Sequence, residues 1–328
     1  MVQLHHKKQK LVANYHFSEV ADMMNEIMIG TWAWGTGMNG SSMVFGKKQD
    51  PNVLRQAFSE AVKREFLKWD TAAVYGMGTC ETLLGKLITK RDDIFISTKF
   101  FPGKKYKTGA LQKSFEESME RLGRNHADIY WIHVPRNLTE NLREAIPLMK
   151  DGKIRSIGIS NVSLEHVKEA ESILAKEGLT LGAVQNHFSL LRNDQQRIID
   201  HCNQKGIKYY AYMVLEQGAL SGNYDSKNHF PAFSMRNRAF PKSKFRKIEG
   251  LLSEMKRLAE HYHIDASQIP ILWVLGKRAI PIVGITKPSH AEKLSEAVKV
   301  SLTDDEIKLL EKEAAKTGIR QQGGWEPQ

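Results

Sequence analysis

Hydrophobic and polar positions repeat in one unit from about residue 27 onward. Each unit has a short β-branched or aromatic run, then a polar loop, then a longer stretch with apolar residues at helical spacing. This pattern predicts alternating strands and helices. The eight predicted strands cover residues 27–30, 68–71, 94–99, 128–133, 154–160, 183–185 (as the start of a strand), 208–213 and 280–284.

The predicted helices follow the strands at regular intervals. They cover residues 51–65, 81–88, 110–122, 142–150, 164–176, 195–204 and 245–261, a further stretch at 268–277, and a last helix from residue 289. Alternation of this kind predicts a parallel sheet with helices outside it. Eight units in a chain of 328 residues favour a closed (β/α)8 TIM barrel with long active-site loops. A doubly wound open sheet is the competing fold, but no G-x-G-x-x-G follows the first strand.

The predicted barrel accounts for the whole chain as one domain over residues 1–328. Residues 1–26 are interpreted as a leader or a local cap, and residues 318–328 as a C-terminal tail. Residues 223–247 are too long for an ordinary connection, which predicts a lid over cofactor or substrate.

The stretch around Asp70 and Tyr75 carries the first candidate chemistry. Asp70 lies at the end of the second predicted strand and Tyr75 in the small-residue loop after it. Tyrosine has an ordinary pKa of about 10. Its phenol becomes a useful acid near neutral pH when a nearby cation stabilises the phenolate.

Two more polar residues end neighbouring predicted strands: Lys99 ends the third and His133 the fourth. In a barrel, the carboxyl ends of the strands converge on one mouth, where catalysis takes place. We therefore predict that Asp70 orients Lys99 and that the lysine favours the phenolate of Tyr75. His133 is predicted to donate to the carbonyl oxygen that Tyr75 protonates, or to polarise it. The four candidate catalytic residues are therefore Asp70, Tyr75, Lys99 and His133.

The composition and charge of the chain argue against several classes of function. The chain has 48 Lys and Arg against 37 Asp and Glu, a net charge of +11, with no nucleic-acid-binding motif. A solvated basic surface is the first interpretation, and steering of a phosphorylated small molecule the second. The two cysteines fit a reducing compartment, and no apolar run suits a signal peptide or a membrane span. We expect a cytoplasmic protein that binds neither nucleic acid nor membrane.

Several motifs occur in order over roughly residues 28–300. They are Gly30-Thr31-Trp32-Ala33-Trp34-Gly35, Asp70-Thr71-Ala72-Ala73-Val74-Tyr75-Gly76, Ser97-Thr98-Lys99, Trp131-Ile132-His133, Gly152-Lys153-Ile154-Arg155-Ser156-Ile157-Gly158-Ile159-Ser160-Asn161, Val184-Gln185-Asn186 and Pro281-Ile282-Val283-Gly284-Ile285-Thr286-Lys287-Pro288. Together these motifs resemble the aldo-keto reductases. The resemblance implies a TIM barrel that reduces aldehydes or ketones with NADPH and without a metal. Hydride would pass to the carbonyl carbon while Tyr75 protonates the oxygen.

The resemblance also implies the cofactor contacts. The residues concerned are Thr31 and Trp32 beside the nicotinamide and pyrophosphate, Ser160, Asn161 and Gln185 at the carboxamide, Tyr212 stacked on the nicotinamide, Met213, Leu215 and Gln217 in the loop after strand seven, and Gly284, Ile285, Thr286, Lys287 and His290 near the adenosine 2′-phosphate. Residues 213–218 replace the usual aromatic-Ser-Pro-Leu run, which removes a side-chain hydroxyl. Lys293 and Leu294 stand where the family often has Glu-Asn for adenine, so NADH remains a possible cofactor.

Two other function classes stay open. A redox-sensing or regulatory protein, resembling the potassium-channel β subunits of the same family, would bind the cofactor without rapid turnover. A metal-dependent barrel hydrolase would need clustered ligands, and His133 alone does not supply them. His261 and His263 have metal-like spacing but are predicted at a surface helix end, and Cys80 is predicted to be a buried thiol.

Overall fold

The computed structural model describes residues 25–46, 48–231 and 234–321. In these ranges, eight parallel strands pair in sequence order, and β8 pairs back onto β1 to close a barrel. The closed ring confirms the predicted (β/α)8 fold over an open sheet. The strands are β1 (Met28–Gly30), β2 (Lys68–Asp70), β3 (Phe95–Phe100), β4 (Ile129–Ile132), β5 (Ile157–Ser160), β6 (Ala183–His187), β7 (Lys208–Tyr212) and β8 (Ile280–Gly284).

Helices surround the barrel and connect consecutive strands. They are α1 (Ser41–Phe45), α2 (Pro51–Lys63), α3 (Thr79–Leu87), α4 (Ala110–Leu122), α5 (Leu138–Lys150), α6 (Leu164–Ala175), α7 (Gln196–Lys205), α8 (Met235–Ala239), α9 (Lys242–Tyr262), α10 (Ile269–Gly276), α11 (Pro288–Ala297) and α12 (Asp304–Lys316). Short 3₁₀ helices cover Trp32–Trp34, Tyr75–Gly78, Glu216–Gly218 and Ala266–Gln268.

Most predicted elements are found with boundaries shifted by a few residues, and three of the differences have a clear local reason. β5 begins at residue 157, because Ile154 makes only an isolated bridge to Ala127. β7 ends at residue 212, because Met213 has a φ of 61°, which a strand does not allow. The segment predicted as a lid is partly helical, since α8 lies within it and α9 already begins after Pro241.

The barrel interior is filled by side chains. Trp131 and Tyr210 cross it from β4 and β7, with ring centroids 5.7 Å apart and nearly perpendicular planes. Gly158 on β5 gives the Trp131 ring its space, because an added Cβ would lie 2.2 Å from that ring. A separate, larger apolar layer lies between the strands and the helices. This interior packing leaves the carboxyl-terminal mouth as the end where polar groups collect.

Candidate active site

An ion pair between neighbouring strands lies at the floor of the mouth. Lys99 on β3 is fully buried, and its Nζ donates to the Asp70 carboxylate and, at 2.8 Å, to the carbonyl of Thr71. The other oxygen of Asp70 accepts from Ser97 Oγ at 2.6 Å and Gln185 Nε2 at 3.3 Å. A buried charge is costly unless it is paired and hydrogen-bonded, and here both conditions are met.

Tyr75 reaches this pair from the tight turn after β2. Gly76 and Met77 follow it with φ values of 55° and 53°, so the chain reverses sharply and turns the ring inward. Lys99 Nζ lies 5.0 Å from the Tyr75 ring centroid. The Trp32 ring stacks on the Tyr75 ring with their centroids 5.9 Å apart, and the His133 ring meets Tyr75 edge-on, also at 5.9 Å. The four predicted catalytic side chains therefore lie within one small volume.

Burial controls the protonation of this group. It raises the pKa of the Tyr75 phenol well above its ordinary value, and the negative charge of Asp70 adds to the rise. Burial, followed by the Lys99 cation, lowers the pKa of His133 well below its ordinary value. Tyr75 is therefore protonated and His133 neutral near pH 7. Burial and the Asp70 charge therefore set the direction of the shift at the Tyr75 phenol, and the preference of Lys99 for the phenolate stays a prediction.

Burial also governs Lys99. It lowers the pKa of the ammonium, while the Asp70 charge and hydrogen bond oppose that effect. The Asp70 carboxylate therefore stabilises the charged form of Lys99 in this buried position.

A cleft of about 480 Å³ extends from this floor across the mouth. Asp70, Tyr75 and His133 line one end of it, and the loop after β8 lines the other. The predicted cofactor residues that line the cleft are Trp32, Ser160, Gln185, Tyr212, Met213, Leu215, Gln217, Gly284, Thr286, Lys287 and His290. An elongated polar molecule could therefore contact both ends at once.

Three predicted cofactor residues, Thr31, Asn161 and Ile285, are not among the residues that line the cleft. The Thr31 hydroxyl is buried and donates to the carbonyl of Asp70 at 3.1 Å. The Asn161 amide donates to the His133 carbonyl at 2.8 Å and accepts from the Tyr212 hydroxyl at 2.6 Å. Thr31 and Asn161 therefore hydrogen-bond the active-site strands in this structure, and their roles as cofactor contacts stay predictions.

The far end of the cleft is cationic. Lys287 precedes the first residue of α11, and the Thr286 backbone N–H donates to His290 Nδ1 at 3.2 Å. Arg236 on α8 also lines this cleft, with its guanidinium carbon 3.9 Å from the centroid of the Phe230 ring. Helix N-termini and cations of this kind suit phosphate groups.

Several cleft-lining polar atoms fit a polar ligand. Within the described part of the chain, Trp32 Nε1, Gln217 Oε1 and Arg236 Nε are buried and have no hydrogen-bond partner. Unsatisfied buried donors and acceptors are uncommon in folded proteins. Their position along one elongated cleft, together with its cationic end, fits a dinucleotide.

A model of the aldo/keto reductase family matches residues 26–314 of this chain. The chain belongs to that family. An aldo-keto reductase of Schizosaccharomyces pombe with NADP(+) in its name is 29% identical over 301 residues, 85% of this chain and 87% of the relative. A chloroplastic pyridoxal reductase of Arabidopsis thaliana is 29% identical over 318 residues, 89% and 84% of the two chains. Among solved structures, a glycerol dehydrogenase from Gluconobacter oxydans gives a TM-score of 0.75 at 25% identity, covering 89% of this chain and 91% of that chain.

This aldo-keto reductase is accordingly an oxidoreductase enzyme on a parallel eight-stranded barrel. The recognised motifs follow the strands in order, and their polar residues meet at the carboxyl ends of β2, β3 and β4. The sequence interpretation did not include Arg236. The available signal was its positive charge inside the long segment after β7, although no motif distinguishes it from Arg238 there.

The remaining sequence signals are placed as follows. Cys80 is buried, its thiol donates to the Thr31 carbonyl at 3.2 Å, and burial raises its pKa to about 12. His261 and His263 are exposed at the end of α9. Across residues 25–46, 48–231 and 234–321, no three His, Cys, Asp or Glu side chains group as metal ligands. In the same ranges no helix has the length and apolar character to cross a bilayer.

Two predicted terminal segments fall largely outside the described residues: 1–24 of the leader or cap, and 322–328 of the tail. Gln321 marks where the described chain ends. Its backbone N–H donates to the Leu191 carbonyl at 2.9 Å, and Lys244 Nζ donates to its side-chain oxygen at 2.9 Å. The described chain therefore ends beside the loop after β6.

Proposed function

We propose that this aldo-keto reductase uses NADPH to reduce small aldehydes or ketones to alcohols. The observation that carries the proposal is the convergence of Tyr75, His133 and the Lys99–Asp70 pair at the floor of a cleft with a cationic far end. The bound dinucleotide supplies the hydride that the carbonyl carbon receives.

Tyr75 donates its proton to the carbonyl oxygen as that oxygen gains negative charge. The raised pKa keeps the phenol protonated until then, and an alkoxide is basic enough to take the proton. Lys99, 5.0 Å from the ring, stabilises the phenolate that is left behind. The neutral imidazole of His133 holds the carbonyl oxygen with an N–H, without competing as an acid.

We also propose which residues hold the cofactor. Ser160 and Gln185 suit the carboxamide, and the Tyr212 ring, fixed by its hydrogen bond to Asn161, suits the nicotinamide face. Lys287 and Arg236 suit the phosphates. The NADP(+) in the name of the Schizosaccharomyces pombe relative agrees with a phosphate site in the loop after β8. Residues 223–247 would form the lid predicted from their length, since Asn223, Tyr224 and Arg236 line the cleft.

Titration of the protein with NADPH and NADH, followed by steady-state assays on a small carbonyl panel, tests this function. We expect NADPH to bind at least about tenfold more tightly than NADH, the effect of one charge-assisted contact to the extra phosphate. We expect the bound NADPH to be consumed when an aldehyde is added. Tight NADPH binding without consumption would instead support the regulatory alternative, and absence of binding would contradict both.

Lys287→Met should raise the Kd for NADPH about tenfold and leave that for NADH nearly unchanged, because the lysine would face only the 2′-phosphate. Fluorescence titration measures both constants. Lys299→Met provides the matched control: this lysine lies just past α11 and is paired with Glu296 at 2.8 Å on the surface. If Lys287→Met raises the Kd for NADPH and the Kd for NADH equally, Lys287 does not bind the 2′-phosphate.

A further inference from the structure

A buried polar cluster lies directly behind the cleft wall, outside the catalytic group. It consists of His187 at the end of β6, Ser189 just after it, and Glu216 in the loop after β7. All three side chains are fully buried. Glu216 Oε1 accepts from Ser189 Oγ at 2.5 Å and lies 2.7 Å from His187 Nε2. The cluster therefore ties the loop after β7 to the end of β6.

The loop that Glu216 anchors has an unusual backbone. Met213, Glu216 and Gln217 have φ values of 61°, 47° and 56°, in the left-handed region that residues with a side chain rarely adopt. Such conformations cost free energy and persist only where surrounding contacts impose them. Hydrogen bonds inside the loop, such as Glu216 N–H to the Met213 carbonyl at 2.8 Å, stabilise its turns. The side chain of Glu216 adds contacts outside the loop, to His187 and Ser189.

Glu216 differs from its neighbours in the direction of its side chain. Residues 213, 214, 215, 217 and 218 all line the cleft, whereas Glu216 does not. Its carboxylate is fully buried on the opposite side, toward β6. A buried carboxylate is unfavourable without donors, so Glu216 has one strongly preferred position, the one that meets His187 and Ser189.

The cluster also adjoins two other parts of the cleft wall. The His187 ring lies 5.6 Å from the ring of Tyr212, the proposed nicotinamide platform. Gly218, at the end of the loop, lets Arg236 approach, because an added Cβ would lie 2.7 Å from Arg236 Nη2. A displaced loop would therefore disturb both the platform and the proposed phosphate cation.

We propose that Glu216, held by His187 and Ser189, is a positioning residue that sets the cleft-lining loop 213–218 in its cofactor-binding conformation. The inference rests on the proposed NADPH-dependent function and adds residues that the sequence motifs did not indicate. Because Glu216 faces away from the cleft, its loss should weaken cofactor binding and leave proton donation by Tyr75 intact.

Glu216→Gln and Ser189→Ala test this, with NADPH affinity from fluorescence titration, kcat at saturating NADPH, and Tm from thermal unfolding. We expect Glu216→Gln to raise the Kd for NADPH about tenfold or more, the usual effect of losing a charged hydrogen bond. We expect Ser189→Ala to raise it about threefold to fivefold, the effect of losing one neutral donor. In both variants kcat at saturation should stay within about threefold of the wild type.

Asp128→Asn is the matched control for a merely structural effect. Asp128 is also a buried carboxylate that accepts two hydrogen bonds, from Ile96 N–H at 2.8 Å and Arg155 Nη1 at 2.8 Å, but it lies just before β4, at the other end of the barrel. We expect this variant to lower the Tm and leave the Kd for NADPH unchanged.

The inference is overturned if NADPH affinity in both cluster variants stays within about twofold of the wild type. It is also overturned if Asp128→Asn lowers the Tm by a similar amount to the cluster variants and raises the Kd for NADPH as much as they do. If Glu216→Gln does not fold, Ser189→Ala decides by the same criterion. A wild-type protein that binds NADPH and reduces carbonyls keeps the proposed function whatever the variants show, whereas one that binds no NADPH overturns both.

Discussion

Replacing Tyr75 with phenylalanine is expected to lower kcat for carbonyl reduction by about 10²–10⁴-fold, the usual contribution of a positioned general acid. The ring would remain between Trp32 and His133, since those contacts involve only its carbon skeleton. The Kd for NADPH should therefore stay within about twofold of the wild type, because the change removes only the hydroxyl. Steady-state kinetics on an aldehyde and fluorescence titration with NADPH measure the two quantities.

Tyr262→Phe is the control for loss of a tyrosine hydroxyl. Tyr262 donates to Glu306 at 2.7 Å between α9 and α12, away from the cleft, so its loss should leave kcat unchanged. A Tyr75→Phe enzyme with wild-type kcat would show that another group protonates the substrate. His133 would then be the next candidate, although its lowered pKa argues against it.

Replacing Lys99 with methionine should affect both stability and activity. The change leaves the Asp70 carboxylate buried beside an apolar side chain, with Ser97 and Gln185 as its remaining donors. Breaking a buried ion pair in this way costs about 3–5 kcal/mol of unfolding free energy. Activity should fall as well, because the phenolate of Tyr75 would lose its nearby cation. Urea unfolding and steady-state kinetics give the two values.

The double variant Lys99→Met with Asp70→Leu separates the two effects. Removing both charges should restore most of the unfolding free energy, since no buried charge is left unpaired. It should not restore turnover. If Lys99→Met keeps full stability, the pair is less desolvated than its burial indicates. If the double variant recovers turnover, Lys99 has no part in the chemistry.

The positions of the strands could be predicted from local pattern because each strand is an apolar run with turn residues on both sides. The predicted meeting of Asp70, Lys99 and His133 followed from barrel geometry alone, as parallel strands bring their carboxyl ends to one mouth. Boundaries such as the end of β7 at residue 212 were less predictable, because the φ of Met213 depends on how the following loop is held.

Which side of the cleft wall a residue occupies could not be inferred from the motifs. Thr31 and Asn161 belong to motifs that the family resemblance marked as cofactor contacts, and the structure adds that they hydrogen-bond the carbonyls of Asp70 and His133. Arg236 and the cluster around Glu216 went unnoticed for a related reason. Ser189 and Glu216 are 27 residues apart in sequence, and no local pattern indicates their contact. Arg236 lies in a segment whose position over the cleft depends on the tertiary fold.

The sequence by itself determined the barrel, the family and the four candidate catalytic side chains, because strand periodicity and ordered motifs are local properties of the chain. Tertiary structure decided the environment of those side chains, since desolvation depends on every neighbouring element. It made burial and the charge of Asp70 raise the pKa of the Tyr75 phenol. It also placed a buried carboxylate behind the cofactor loop, where distant segments of the chain meet.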